Sequence, residues 1–121
     1  MLLVDGANVV GSRPTGWWKD RAAAARVLFD QLRTATREGR IVQPVVLVLE
    51  GRARPGVDEG TVDGVQVVHA AGEGDDTLVD LAAAATEQVT LVSADRALAE
   101  RVRDVGGDVV GPRWLLDRLT S

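Results

Sequence analysis

A chain of 121 residues without cysteine is long enough to bury one core unaided, and it excludes disulfides, thiolate nucleophiles and zinc–thiolate sites. Fourteen basic against eighteen acidic residues leave a formal net charge of −4, which argues against binding nucleic acid by bulk positive charge; three tryptophans and one phenylalanine are too few for a broad base-stacking platform. No apolar run approaches the roughly 20 residues that span a bilayer, and no charged segment with a cleavage site precedes the first strand, so a soluble cytoplasmic protein with no membrane association is expected.

The first apolar run, Leu2 to Val4, stops abruptly on Asp5 and is followed by Gly6, Ala7 and Asn8. A strand that ends on a carboxylate beside two minimal side chains has the look of an active-site edge, because open α/β sheets bind ligands outside the carboxyl ends of their strands. Asp5 or Asn8 acting as an ordinary turn cap is an equal alternative for this segment taken alone. Trp17 and Trp18 come next, and either ring could stack on a base; such a pair more often splits, with one ring in the core. Residues 19 to 38 place Ala25, Leu28, Phe29, Leu32 and Ala35 on one helical face, with Gly39 as the stop.

Val45 to Leu49 forms a second continuous run, ending on Glu50. Residues 51 to 64 have turn composition and no period, which predicts a mobile surface loop. Val65 to Val68 is the third strand, and His69 at its end reads as a satisfied structural histidine. An alanine-rich helix is expected over residues 76 to 87, opened by Asp75 and Asp76, and a fourth strand over Val89 to Val92. Asp95 follows in Val-Ser-Ala-Asp, ahead of a helix over residues 96 to 104. Val109 to Val110 and a last helix over residues 113 to 119, with Trp114, Leu115, Leu116 and Leu119 packing on the sheet, complete the chain.

Continuous β-branched runs suit strands buried on both faces. Their alternation with helices predicts one domain over residues 1–121: a three-layer α/β/α fold with a mainly parallel, five-stranded, Rossmann-like sheet.

In such a sheet Asp5, Glu50, Asp75, Asp76 and Asp95 all arrive at one edge. Each of Asp75 and Asp95 alone is best read as a helix N-cap. The set is not, because gathered carboxylates raise one another's pKa unless a cation neutralises them. An all-oxygen cluster with a single histidine in the chain suits Mg²⁺ or Mn²⁺ better than zinc. Two such ions, about 3.5–4 Å apart, can activate water and stabilise the leaving oxygen of a phosphodiester. Two divalent ions would also offset the formal charge of −4. The basic side chains are almost all arginine (Lys19 is the only lysine), as a GC-rich coding sequence also produces. Arg13, Arg52, Arg54, Arg96 and Arg113 fall near the same edge, Arg13 and Arg96 being the strongest candidates for phosphate contacts.

Other α/β sites fail on the residues present. There is no Gly-Lys-Ser/Thr of a P-loop, and Gly6 and Gly11 do not make a dinucleotide fingerprint. Gly-Pro-Arg stands where a receiver domain has its lysine. Residue 7 is Ala where an aspartyl-phosphate enzyme of the haloacid dehalogenase type has its second Asp, and no serine elbow exists.

Val4 to Gly11 (Val-Asp-Gly-Ala-Asn-Val-Val-Gly), Gly74 to Leu78 (Gly-Asp-Asp-Thr-Leu) and Val92 to Asp95 (Val-Ser-Ala-Asp) resemble, in order, the three acidic motifs of NYN-domain ribonucleases, a branch of the PIN-like nuclease superfamily. The resemblance implies a Mg²⁺- or Mn²⁺-dependent endoribonuclease that cuts single-stranded or structured RNA by attack of water at phosphorus, leaving a 5′-phosphate. It implies Asp5, Asp76 and Asp95 as catalytic, metal-binding acids and Asp75 as a supporting metal ligand. Asn8 would orient a water or phosphate, Ser93 would hold Asp95 or a phosphate, and Glu50 would stand behind the ligands. Family members acting on RNA usually carry more basic surface or a further RNA-binding domain than this chain does. A metal-dependent nucleotide phosphohydrolase and a non-catalytic RNA- or protein-binding module are the alternatives. So small a chain is also a candidate for homodimerisation, a second copy completing the substrate groove.

Overall fold

A computed structural model describes residues 1–120. Six strands form one sheet in the order β3-β4-β2-β1-β5-β6. They are β1 (Leu2–Asp5), β2 (Val45–Leu49), β3 (Gly60–Val62), β4 (Val65–His69), β5 (Thr90–Val92) and β6 (Asp108–Val110). All neighbours are parallel except β3, which runs antiparallel to β4 at one edge. The helices are α1 (Gly6–Gly11), α2 (Arg21–Arg37), α3 (Gly74–Ala84), α4 (Arg96–Asp104) and α5 (Pro112–Leu119). The three-layer α/β/α architecture expected from the sequence is present.

Two apolar clusters explain the layers. Leu2, Val4, Val45, Leu47 and Leu49 face one way, against Leu28, Phe29 and Leu32 of α2 and Leu115 of α5. Leu3, Val46, Val48 and Leu91 face the other, against Leu78 of α3 and Leu98 and Val102 of α4. The period-2 alternation of strand side chains divides each run between the two faces. With β1 and β2 fully buried, both are apolar throughout except for Asp5 at the end of β1, and the continuous runs follow.

The strand order sets the functional edge. The chain moves outward from β1 to β2 and β4, then α3 carries it back to β5 and β6 on the other side of β1. The reversal lies between β1 and β5, the place where open α/β sheets form a crevice at their carboxyl ends.

Two local expectations change. Residues 51 to 64 are not a mobile loop: Gly51–Gly56 is a 3₁₀ segment docked on α2, and β3 follows it. At Gly56 a Cβ would sit 2.1 Å from the Ala22 carbonyl oxygen, so only glycine permits that approach. The sheet therefore has six strands rather than five. Asp63 and Gly64, both with positive φ (51° and 79°), form the two-residue turn between β3 and β4. Asp63 also pairs with Arg33 of α2 at 3.1 Å, tying the hairpin to the helix layer.

Candidate active site

Asp5 is the last residue of β1 and only 7 % exposed. One step beyond Val4, it shares the sheet face of Leu3, beneath α3 and α4. Its Oδ1 accepts from the Asn8 backbone N–H at 3.2 Å and caps α1; its Oδ2 accepts from the Ser93 hydroxyl at 2.9 Å. The two readings of Asp5, cap and site acid, are thus compatible within one side chain. Burial raises its pKa above the usual carboxylate range. The bonds from Ser93 and Asn8 pull it back, and the charges of Asp75 and Glu50 add to the rise.

Ser93 and Asn8 tie the turn after β5 to β1 and α1. While donating to Asp5, the Ser93 hydroxyl accepts the Asp95 N–H at 3.1 Å. Asn8 Oδ1 accepts the Ala94 N–H at 2.8 Å, which fixes the turn after β5 against α1. Only the amide NH₂ of Asn8 then remains for a water or a phosphate. Asp95 caps α4 by accepting the Leu98 N–H at 3.1 Å. Glu50 accepts the Gly74 N–H at 2.9 Å and so holds the start of α3 over the same edge.

The acidic pair on α3 divides. Asp75 is half-buried, and its pKa is raised by burial first, then by the charges of Asp95, Glu50 and Glu73; Arg101 opposes the rise. Asp76 turns outward: its side chain is 82 % exposed and pairs with Arg101 of α4 at 2.9 Å. Asp5, Glu50, Asp75 and Asp95 thus lie near enough for their charges to act on one another, while Asp76, expected among the site acids, faces outward to Arg101. Arg101, not among the residues expected at the site, bears on both acids of the pair. No motif marks it, because it lies on the second turn of α4.

A Cβ at position 6 would lie 2.6 Å from the Val48 carbonyl oxygen, so Gly6 allows α1 to press against β2. Ala7 is exposed and keeps its side of the edge open.

Arg13 is half-buried, which lowers its pKa, and together with Arg113 and Ala94 it lines a cleft beside the turn after β5. Arg96 lines a second cleft of about 410 Å³ with Ser93, Asp95 and Arg103. Arg54 is occupied locally, donating to the Gly51 carbonyl at 3.2 Å. His69 donates its ring Nε2–H to the Val57 carbonyl at 2.7 Å, a structural role. Trp17 is half-buried against the core while Trp18 is 59 % exposed, so the pair splits as expected.

A hard divalent cation fits the donor chemistry of Asp5, Asp75, Asp95 and Glu50, which is all oxygen with clustered negative charge. As the side chains stand, no three acidic or histidine groups among the described residues are close enough to hold one ion. Both carboxylate oxygens of Asp5 are already engaged.

Solved structures share this fold. The chain is similar to Rae1 (YacP) from Bacillus subtilis, with a TM-score of 0.75 and 23% identity over 99% of this chain and 73% of that one. It is also similar to a single-residue mutant of the same protein, with a TM-score of 0.71 and 21% identity over 98% of this chain and 74% of the other. At these identities the likeness concerns the fold alone. No protein-family model and no curated protein matches the chain. Among the described residues no helix is long and apolar enough to cross a membrane.

Proposed function

We propose that the chain is a cytoplasmic, Mg²⁺- or Mn²⁺-dependent endoribonuclease of the NYN, PIN-like kind, acting on single-stranded or structured RNA. The observation that carries this reading is the placement of Asp5. A buried carboxylate ends the central strand at the topological switch point, with Asp75 and Glu50 near enough to raise its pKa and Asp95 near enough to raise that of Asp75. Such a cluster costs stability unless something positive offsets it, and sites that tolerate that cost are usually functional.

Asp5, Asp75 and Asp95 would hold the cation, with Glu50 behind them. A divalent ion bound there supplies charge neutralisation and Lewis acidity at a phosphodiester. Ser93 keeps Asp5 and the backbone at Asp95 in register through its shared hydroxyl. Asn8 locks the turn after β5 and presents its amide NH₂ towards solvent at the same edge. Arg13 and Arg96 flank the acids, where they would neutralise phosphates on either side of the scissile bond.

One observation favours a second reading, a non-catalytic RNA- or protein-binding module. The engaged oxygens of Asp5 and the absence of a ready ligand set among the described residues suit a fold that has kept its acids for structure. Labelled single-stranded RNA and nucleoside triphosphates, each incubated with Mn²⁺, separate the possibilities. The endoribonuclease reading predicts internal cleavage of RNA that Asp95→Asn reduces at least about a hundredfold. Equal cleavage by wild type and variant contradicts it. Hydrolysis of the triphosphates alone points instead to a phosphohydrolase, and no turnover of either points to the binding module.

A further inference from the structure

On the α2 side of the same edge lies a cleft of about 350 Å³ that meets the proposed site only at Glu50. Ala25 and Leu49 line its buried base, Trp17 and Arg21 one wall, and Ala7 and Glu50 the margin towards the acids. Its volume falls within the roughly 300–1,000 Å³ of small-ligand pockets.

The Trp17 ring is held in place before any ligand arrives. Trp18 meets it edge-on with centroids 6.0 Å apart, and the Arg21 guanidinium lies 5.5 Å from its centroid. A Cβ on Gly11 would touch the indole at 3.7 Å, so the end of α1 supports the ring without blocking it. Arg21 and Glu50 bring one charge of each sign to the cleft, and the rest of its lining is small or apolar apart from the indole, so a flat neutral base suits its interior better than a phosphate does. Ala7 leaves the mouth clear with a single exposed methyl group.

We propose that this cleft is a base subsite, taking one unpaired nucleobase stacked on Trp17 and so setting which phosphate of the strand meets the acids. The proposal rests on the endoribonuclease reading only for the identity of the polymer. Stacking favours purines over pyrimidines by their larger face.

Adenosine, in EDTA so that no cation contributes, is the probe; ribose is the control, and equilibrium dialysis is the readout. The expected result is saturable binding of adenosine and none of ribose. Ala7→Leu, which fills the mouth from an exposed position, should weaken adenosine binding about tenfold, and Trp17→Phe should weaken it less. Thermal melts of both variants check that the fold persists, and the Phe variant carries the test if leucine at position 7 perturbs α1. With single-stranded RNA and Mn²⁺, kcat/KM of Ala7→Leu should fall by a similar factor. Absence of saturable adenosine binding, or binding indifferent to both substitutions, overturns the subsite even if RNA is cleaved. Adenosine binding that responds to both substitutions upholds it even if no RNA is cleaved, in which case the nuclease reading alone fails.

Discussion

Asp5 is 7 % exposed, yet it accepts two hydrogen bonds and carries a raised pKa, so its ionised form is held at a cost. The folded state binds its proton more tightly than the unfolded chain does. The stability linked to this group is therefore full below the ordinary carboxylate value of 3.8 and falls as pH climbs through the raised value. Asp5→Asn keeps the cap through its Oδ1 and reverses the Ser93 contact, its Nδ2–H donating to the hydroxyl, but it has no charge to desolvate. Its melting temperature should exceed that of wild type by on the order of a few degrees at pH 7–8, a gap that closes as pH falls towards about 4. Circular dichroism melts across that range measure it; an Asn variant less stable than wild type at pH 8 would contradict the burial argument.

At the scale of elements, close approaches of backbone hold the edge together. Gly6 lets α1 seat on β2, and a methyl group there meets the Val48 carbonyl oxygen at 2.6 Å, a backbone atom that cannot swing aside. Gly6→Ala should cost about 1–3 kcal/mol in urea denaturation. A loss below about 0.5 kcal/mol would mean that α1 shifts freely, and the placement of Asp5 and Asn8 would lose its support. Much of this scale was legible in the chain. The continuous runs at Val45–Leu49 and Leu2–Val4 announce central parallel strands, and Asp5, Glu50 and Asp95 at their ends announce the edge. Helix α1 was hidden because six residues opening on glycine show no helical period. Strand β3 was hidden in turn-rich sequence, although Asp63-Gly64 between Val62 and Val65 is a hairpin signal. The division between Asp75 and Asp76 was also readable from helix geometry. Leu78 and Ala82 mark the buried face of α3, and Asp75 lies three and seven residues before them; Asp76 instead shares its face with the exposed Asp80.

For the whole molecule, charge is the governing quantity. The chain carries a net charge of −4 and its edge is lined with carboxylates, while Arg13, Arg96 and Arg113 line the clefts beside that edge. If those three arginines supply the phosphate contacts, log K for a single-stranded oligonucleotide should fall with log salt with a slope of about −2, and Arg13→Ala should flatten it by about 0.7. A much steeper slope, unchanged in the variant, would place the RNA on another surface. Adding Mn²⁺ should strengthen binding to wild type, because it offsets the repulsion from the acids.

We propose that Asp75, and not its neighbour Asp76, joins Asp5 and Asp95 as a working acid. The direct measurement is Mn²⁺-dependent cleavage of labelled single-stranded RNA by Asp75→Asn and Asp76→Asn in parallel. The claim predicts a loss of about a hundredfold or more for Asp75→Asn. For Asp76→Asn, which removes only a surface ion pair with Arg101, it predicts a change within about threefold. Cleavage abolished by Asp76→Asn and spared by Asp75→Asn would contradict it.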